Sequence, residues 1–209
     1  MPDFTVHSTA DTQMGTNSYL VEDPDTHDAV VIDANLEPED MIALVGSRGV
    51  NVRAILLTHA DIDHIAGLQR LREAFGDVPI AIHDLERQSI TRGVPLRREM
   101  PAEMPLFEDV ERLMPGLTYT AGSLTFEVLL TPGHSPGGVT LKLGSLLFTG
   151  DALFAGSIGR YDFSNSDGRA LLQGIRDELL TQPDDSVVYA GHGPRTTIGQ
   201  ERETNPFLR

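Results

Sequence analysis

The sequence predicts an α/β fold in which two β-sheets pack face to face and helices cover their outer faces. In the first half of the chain, short apolar runs rich in β-branched residues alternate with amphipathic helical patterns. From Gly116 to Asp151 the pattern is almost entirely that of strands separated by glycine-containing turns. The 209 residues are expected to form one domain over residues 1–209, because a domain of this size buries about 70% of the surface of its unfolded chain.

Strands and helices are predicted to alternate in the first half. Pro38 favours a helix start, because its fixed φ suits a first turn, and Gly76 favours a helix end. The predicted elements are strand Ala29–Asp33, a helix from about Glu37 to Ser47, a strand ending at Thr58, helix His64–Phe75 with apolar residues at 65, 68, 71 and 75, strand Val78–Ile82 and a short helix capped by Asp84.

The second half is predicted to be mainly β. Its elements are strands Leu117–Thr120, Leu124–Leu130, Val139–Leu143 and Leu146–Gly150, helix Asp167–Thr181, and strand Val187–Gly191. Before them lies Gly93–Pro115, a stretch rich in proline, glutamate and methionine. This stretch is either a loop over a functional site or an exposed connector.

Composition excludes several classes of function. The formal net charge of -15 argues against nucleic acid and membrane surfaces as partners, because phosphate groups bind basic surfaces. The chain has no cysteine, so any metal must be held by histidine and carboxylate. The start of the chain lacks the regions of a signal peptide, and no apolar run approaches the roughly 18 residues of a membrane span. We expect a cytoplasmic protein acting on a small molecule; its oligomeric state is not predicted.

Side chains that bind metals stand where predicted strands stop. The apolar runs ending at Thr58, Gly133, Gly150 and Gly191 are followed directly by His59, His134, Asp151 and His192. The first of these opens the cluster His59-Ala-Asp61-Ile-Asp63-His64, in which imidazole and carboxylate recur within a few residues. Such a cluster is typical of a metal site.

Each candidate also has an ordinary structural explanation. Asp63 is a suitable N-cap for the helix that follows, and Asp61 suits a turn. His134, Asp151 and His192 lie beside glycine or proline, where a loop residue of any kind is accommodated. A chance placement of all these residues at strand ends is a much weaker explanation than a shared metal site. The other histidines, His7, His27 and His83, lack this context.

These motifs resemble those of the metallo-β-lactamase superfamily, whose fold is an αββα sandwich of two mixed sheets. Gly150–Arg160 and Gly191–Phe207 resemble the glyoxalase II-like, or hydroxyacylglutathione hydrolase-like, branch. The resemblance implies two divalent metal ions, with zinc expected and iron or manganese as alternatives. It places His59, Asp61 and His134 on one ion, Asp63, His64 and His192 on the other, and Asp151 between them.

The resemblance also implies a metal-dependent hydrolase, most simply of thioesters. Two ions lower the pKa of a water molecule and deliver it as hydroxide to a carbonyl carbon. Asp63 is expected to be catalytic as well as a ligand, because it can orient the hydroxide and pass on its proton. Arg160 and Tyr161 are expected to face the substrate.

Two departures from the family pattern stand out. The second histidine of His-X-His-X-Asp-His is Asp61 here. Its charge should make the centre less positive, raise the pH optimum and move metal preference toward manganese or iron; alternatively, Asp61 turns away and the first metal is weakly held. The C-terminal helical domain that contacts glutathione in full glyoxalase II enzymes is also expected to be absent from this chain.

Other functions fit the same residues. His59, His134 and Asp151 form the set of two histidines and one carboxylate that binds a single iron, so a mono-iron sulfur dioxygenase on this fold is one alternative. A lactonase or another small-ester hydrolase is a second. A catalytically silent binding protein is a third.

Overall fold

Two six-stranded sheets form the centre of the protein in the computed structural model, which describes residues 4–97 and 105–209. Both sheets are mixed: the first combines antiparallel β1-β2-β3 pairing with parallel β3-β4-β5-β6 pairing, and the second has one parallel pair among antiparallel ones. The first sheet contains, in spatial order, β1 (Thr5–Ala10), β2 (Asn17–Glu22), β3 (Asp28–Ile32), β4 (Asn51–Leu56), β5 (Ile80–Ile82) and β6 (Val110–Arg112).

The second sheet is formed by strands from the second half of the chain. In sequence order its strands are β7 (Thr118–Ala121), β8 (Leu124–Leu130), β9 (Val139–Leu143), β10 (Leu146–Gly150), β13 (Val187–Ala190) and β14 (Thr196–Thr197). A small hairpin, β11 (Leu153–Phe154) and β12 (Ser157–Ile158), follows β10. Strands β10 and β13 are parallel neighbours, so their carboxyl ends lie side by side.

Three apolar layers hold the sandwich together. Between the sheets, alternating side chains of both pack together, with Phe126 and Phe148 among the largest buried residues. The outer face of the first sheet is covered by helices α1 (Glu39–Arg48), α2 (Ile62–Ile65), α3 (Leu68–Phe75) and α4 (Arg87–Arg92). The outer face of the second is covered by α5 (Gly168–Gly174), the π-helical turn Ile175–Leu179 that continues it, and α6 (Ile198–Thr204). The predicted sandwich of two mixed sheets with outer helices is confirmed.

The predicted helix His64–Phe75 is confirmed from Leu68 to its end at Phe75, which is α3, but its first residues are wrong because they belong to a separate helix, α2. The two helices meet at Gly67, where a Cβ atom would lie 2.5 Å from the carbonyl oxygen of Asn35. The Gly67 N–H instead donates to the Ala34 carbonyl, which pins the chain to the loop after β3. The N-cap of α2 is Asp61 rather than Asp63, and its side chain makes no capping hydrogen bond.

The predicted cap at Asp84 is also wrong. Helix α4 has Glu86 at its N-cap position, while the Asp84 carboxylate pairs with Arg112 at 3.0 Å. By contrast, Asp167 does cap the last long helix, since its Oδ1 accepts from the Arg169 and Ala170 amides at 2.8 and 3.1 Å.

The stretch Gly93–Pro115 contains more order than its composition indicates. It includes strand β6, which extends the first sheet, and Arg97, which is buried. Residues 98–104 lie outside the described residues, so the choice between loop and connector is not tested there. Within the described ranges, no helix has the length and apolar character needed to cross a membrane.

Candidate metal centre

The predicted ligands collect at one end of the sandwich, where strands of both sheets stop. His59 follows β4 of the first sheet, and His134 lies in the loop between β8 and β9 of the second. Asp151 and His192 follow the parallel neighbours β10 and β13. The structure therefore brings together residues that are far apart in sequence, although their role as metal ligands stays a prediction.

Two glycines permit this close approach. Gly150 has a φ of +49°, and a Cβ there would lie 2.5 Å from Thr58 Oγ1 of the opposite sheet. A Cβ on Gly191 would lie 2.2 Å from Asp151 Oδ1. A side chain at Gly150 would push the loops of the two sheets apart, and one at Gly191 would displace the side chains of Asp151 and His64.

One group of candidate ligands is formed by Asp63, His64 and His192, whose ligand atoms all lie within 4.8 Å of one another. His192 Nε2 lies 3.4 Å from Asp63 Oδ2 and 3.4 Å from Asp151 Oδ2. His64 Nε2 lies 3.4 Å from Asp151 Oδ1. These separations exceed the usual N–H···O distance of about 2.7–3.2 Å. They match the roughly 3.4 Å between two ligands of a tetrahedral ion bound at about 2.1 Å.

The second group is formed by His59, His134 and Asp151, again within 4.8 Å. His134 Nε2 lies 3.5 Å from Asp151 Oδ2. Asp61 is close to this group but differs from it, because its Oδ2 lies 3.6 Å from His59 Nε2 and only 2.8 Å from His134 Nε2. The short distance is less than the roughly 3.4 Å expected between two ligands of one tetrahedral ion.

Asp33 orients two of the histidines from behind. Its Oδ2 accepts from His64 Nδ1 at 2.9 Å, so that His64 Nε2 points into the centre. The same Oδ2 accepts from Thr58 Oγ1 at 2.8 Å, and Thr58 Oγ1 lies 3.0 Å from His59 Nδ1. Because the hydroxyl proton is given to Asp33, the hydroxyl oxygen accepts from His59 Nδ1–H. In their neutral forms, both imidazoles therefore carry the free lone pair on Nε2.

Other contacts fix the remaining ligands. His134 Nδ1 donates to the Arg160 carbonyl at 2.8 Å, which also turns its Nε2 toward the centre. Thr16 Oγ1 donates to Asp63 Oδ2 at 2.7 Å. Glu86 is fully buried and links two ligand loops, since its carboxylate accepts from the amides of Ala60 at 3.2 Å and Gly137 at 2.7 Å.

Several buried atoms at the centre fit bound cations. Among the described residues, His59 Nε2, His64 Nε2 and Asp151 Oδ1 are buried without a hydrogen-bond partner. Leaving such atoms unsatisfied costs about 1–3 kcal/mol each. A divalent ion would satisfy them, and imidazole with carboxylate is a donor set that zinc, iron and manganese accept.

The ionisable groups influence one another strongly. Burial raises the pKa of Asp151 and Asp63, but the nearby histidines outweigh burial and hold both pKa values well below the usual range. Burial lowers the pKa of His64, yet the charges of Asp151 and Asp33 raise it well above its usual value. In His192, the carboxylates of Asp151 and Asp63 likewise overcome burial and raise the pKa to about 10. The carboxylates therefore stay ionised and ready to bind cations.

Arg97 is a residue of the centre that the sequence analysis missed. Its Nε donates to Asp61 Oδ1 at 2.6 Å and its Nη2 donates to Asp61 Oδ2 at 2.7 Å. Burial raises the pKa of Asp61, but the neighbouring His134, His59 and Arg97 side chains hold it well below the usual range. The guanidinium cancels the charge of this carboxylate. The expected loss of positive charge at the centre is therefore wrong.

Arg160 and Tyr161, the predicted substrate residues, lie beside the centre. The Arg160 guanidinium is exposed and forms two hydrogen bonds with Asp162, each 2.9 Å long. Its Cζ lies 4.3 Å from the Phe163 ring. Tyr161 is 48% exposed and packs over Gly168. Their role in substrate binding stays a prediction.

Comparison with known proteins identifies the family. Residues 11–192 match the model of the metallo-beta-lactamase superfamily. The chain is 35% identical over 197 residues to hydroxyacylglutathione hydrolase GloC of Haemophilus influenzae, covering 92% of each chain. Among solved structures, it is similar to BLEG-1 B3 metallo-beta-lactamase, with a TM-score of 0.89 and 34% identity over 98% of this chain and 99% of that one.

A second solved structure bears on the metal. TTHA1623 in a di-iron-bound form has a TM-score of 0.83 and 38% identity, over 97% of this chain and all (100%) of that one. These matches confirm the resemblance drawn from the ligand motifs. They also place a hydroxyacylglutathione hydrolase, GloC, among the relatives. The chain belongs to the metallo-β-lactamase superfamily.

Proposed function

We propose that this protein is a metal-dependent hydrolase that cleaves thioesters of the hydroxyacyl-thiol type. The observation that carries the proposal is the meeting of two ligand groups at Asp151, where buried nitrogen and oxygen atoms lack partners. The similarity to GloC, named as a hydroxyacylglutathione hydrolase, supports the choice of thioester. The match to GloC over most of both chains makes this the first substrate class to test.

The residues have separate tasks in such a reaction. When bound, the ions activate a water molecule and polarise the substrate carbonyl. His59 and His134 would hold one ion, His64 and His192 would hold the other, and Asp151 would be within reach of both. Asp63, ionised and steadied by the Thr16 hydroxyl, is placed to bind a cation and orient the attacking water.

Recognition of the thiol carrier falls to the loop after β12. Arg160 is exposed, and its pairing with Asp162 is a surface ion pair of the kind that contributes little stability. A carboxylate of the carrier can therefore replace Asp162 at little cost. Tyr161, beside it, offers an exposed ring for the apolar part of the carrier.

A mono-iron dioxygenase is the second candidate. The observation that favours it is the compact group of His59, His134 and Asp151, two histidines and one carboxylate, the set that binds a single non-haem iron. The two functions differ in metal and in co-substrate. A dioxygenase consumes oxygen with a persulfide or thiol substrate, whereas a hydrolase needs only water.

Elemental analysis paired with a substrate panel tests the proposal. Protein purified without added metal is assayed on thioesters, lactones, a β-lactam and a persulfide with an oxygen electrode. We expect thioester hydrolysis that a chelator abolishes and that Asp151→Ala lowers by at least about 10³-fold. His7→Gln, which removes a histidine outside both ligand groups, serves as the control and should keep wild-type activity. Oxygen uptake without thioester cleavage would assign the dioxygenase instead.

A further inference from the structure

Asp61 stands where the family has an imidazole, and the structure gives this carboxylate a dedicated partner. Arg97 binds it through two parallel hydrogen bonds of 2.6 and 2.7 Å. Both side chains are nearly inaccessible, with 2% of Arg97 and 5% of Asp61 exposed. A bidentate guanidinium–carboxylate pair is the strongest arrangement of these two groups.

The guanidinium is fixed by more than Asp61. Its Nη1 donates to Asn165 Oδ1 at 2.7 Å and lies 3.3 Å from Ser166 Oγ, and its Nη2 donates to the His134 carbonyl at 3.0 Å. The Phe163 ring covers its face, with Cζ 4.3 Å from the ring centroid. A site that satisfies every edge of a guanidinium is built to keep it in place.

This pair changes the position between His59 and His134. Asp61 Oδ2 lies 2.8 Å from His134 Nε2, and Arg97 Nη2 lies 3.0 Å from the same nitrogen. Both distances are shorter than the 3.4 to 3.5 Å between the other ligand atoms of the centre. Because His134 Nδ1 donates to the Arg160 carbonyl, the lone pair of its Nε2 accepts from Arg97 Nη2. A positive charge beside a ligand nitrogen also repels a second cation.

We propose that Arg97 is a resident cation of the centre, which withholds Asp61 from metal coordination and makes the two metal positions unequal. The position formed by Asp63, His64, His192 and Asp151 fills first and tightly. The position of His59 and His134 is left with Asp151 as its only carboxylate and binds its ion weakly. This inference rests on the proposed metal-dependent function, but it is tested by bound metal rather than by turnover.

Equilibrium dialysis of the full chain against Zn²⁺, followed by elemental analysis, measures both positions. We expect about one tightly bound ion per chain, with the second weaker by at least about tenfold. In Arg97→Met, Asp61 is released to act as a ligand, and the second ion should bind within about tenfold of the first. Two ions of equal affinity in the wild-type protein would overturn the inference. An unchanged or weakened second site in Arg97→Met would also overturn it, the latter by showing that Arg97 positions Asp61 as a ligand.

Two further variants keep the test decisive. Arg97→Met leaves a buried carboxylate unpaired, and this lowers the stability of the fold. The double variant Asp61→His/Arg97→Met leaves no such charge and should bind two ions of comparable affinity; a single tight ion here contradicts the inference. Arg48→Met is the matched control, because Arg48 also binds a buried carboxylate, Glu22, at 2.9 Å but lies outside the centre. It should retain wild-type Zn²⁺ binding.

Thioester activity is scored separately in the same proteins. If the metal stoichiometries follow the expected order but no thioester is cleaved, the proposed function fails and the inference stands. If thioesters are cleaved but the wild-type protein binds two equal ions, the inference fails and the proposed function stands.

Discussion

The substitution Asp33→Asn should weaken metal binding although it hardly changes the size of the side chain. Asp33 has a φ of 59°, which asparagine tolerates well among non-glycine residues. In the wild-type protein, Asp33 Oδ2 accepts from His64 Nδ1 and from the Thr58 hydroxyl. An amide NH₂ at this position donates instead of accepting. His64 must then present an unprotonated Nδ1 and carry its proton on Nε2, the atom that faces the metal.

The effect extends to His59 through Thr58. With an amide donating to its oxygen, the Thr58 hydroxyl turns its proton toward His59 Nδ1, which lies 3.0 Å away. That change also favours the His59 tautomer with a protonated Nε2. Loss of such an orienting partner typically costs about 10–100-fold in metal affinity, or about 1.4–2.7 kcal/mol per histidine. His64 has the direct contact, so the ion on its side should be affected most.

Competition with a chromophoric chelator measures this change in Zn²⁺ affinity. Asp28→Asn is the matched control, because Asp28 lies at the other end of the same strand and pairs with Arg53 at 2.6 Å. It should bind Zn²⁺ like the wild-type protein. If Asp33→Asn has a native circular dichroism spectrum and unchanged Zn²⁺ affinity, the tautomer argument is refuted.

Three further outcomes are expected. Glu86→Ala removes an acceptor from two backbone amides; at about 1.5 kcal/mol for each charge-assisted bond, Tm should fall by roughly 6–12 °C, and a Tm within about 1 °C of wild type would contradict this. Zn²⁺ binding to protein from which a chelator has removed the metal should release protons from His64 and His192. The pKa values of both histidines are raised, and that of His192 is about 10. Affinity should therefore rise with pH below that value, and calorimetry in buffers of different ionisation enthalpy should detect the protons. Asp162→Ala frees Arg160 and should lower KM for a thioester with an anionic carrier at constant kcat, whereas Arg160→Ala should raise KM; equal KM values in both variants would remove Arg160 from substrate binding.

The layers of the fold and the meeting of the candidate ligands could be predicted because each has a local signal. Buried strands are continuous apolar runs, and a histidine or aspartate directly after such a run is visible in the sequence. The same signal could have revealed Asp33, which follows β3 as His59 follows β4. The boundary between α2 and α3 could not be predicted, because it is set by contacts of Gly67 with the loop after β3. The spacing of apolar residues does not report these contacts.

Arg97 could not be predicted from any local pattern, and it changes how Asp61 is interpreted. When only the sequence motif is considered, an aspartate in place of the family's histidine adds a negative charge to the centre. In the fold, Arg97 meets that carboxylate from a stretch without secondary-structure signals, and the pair carries the same net charge as the neutral imidazole it replaces. The departure therefore changes which atoms can bind an ion beside His59 and His134, while the overall charge of the centre stays the same. The single variant Asp61→His, with Arg97 kept, would carry an unbalanced buried cation, so we expect it to unfold at a lower temperature than Asp61→His/Arg97→Met.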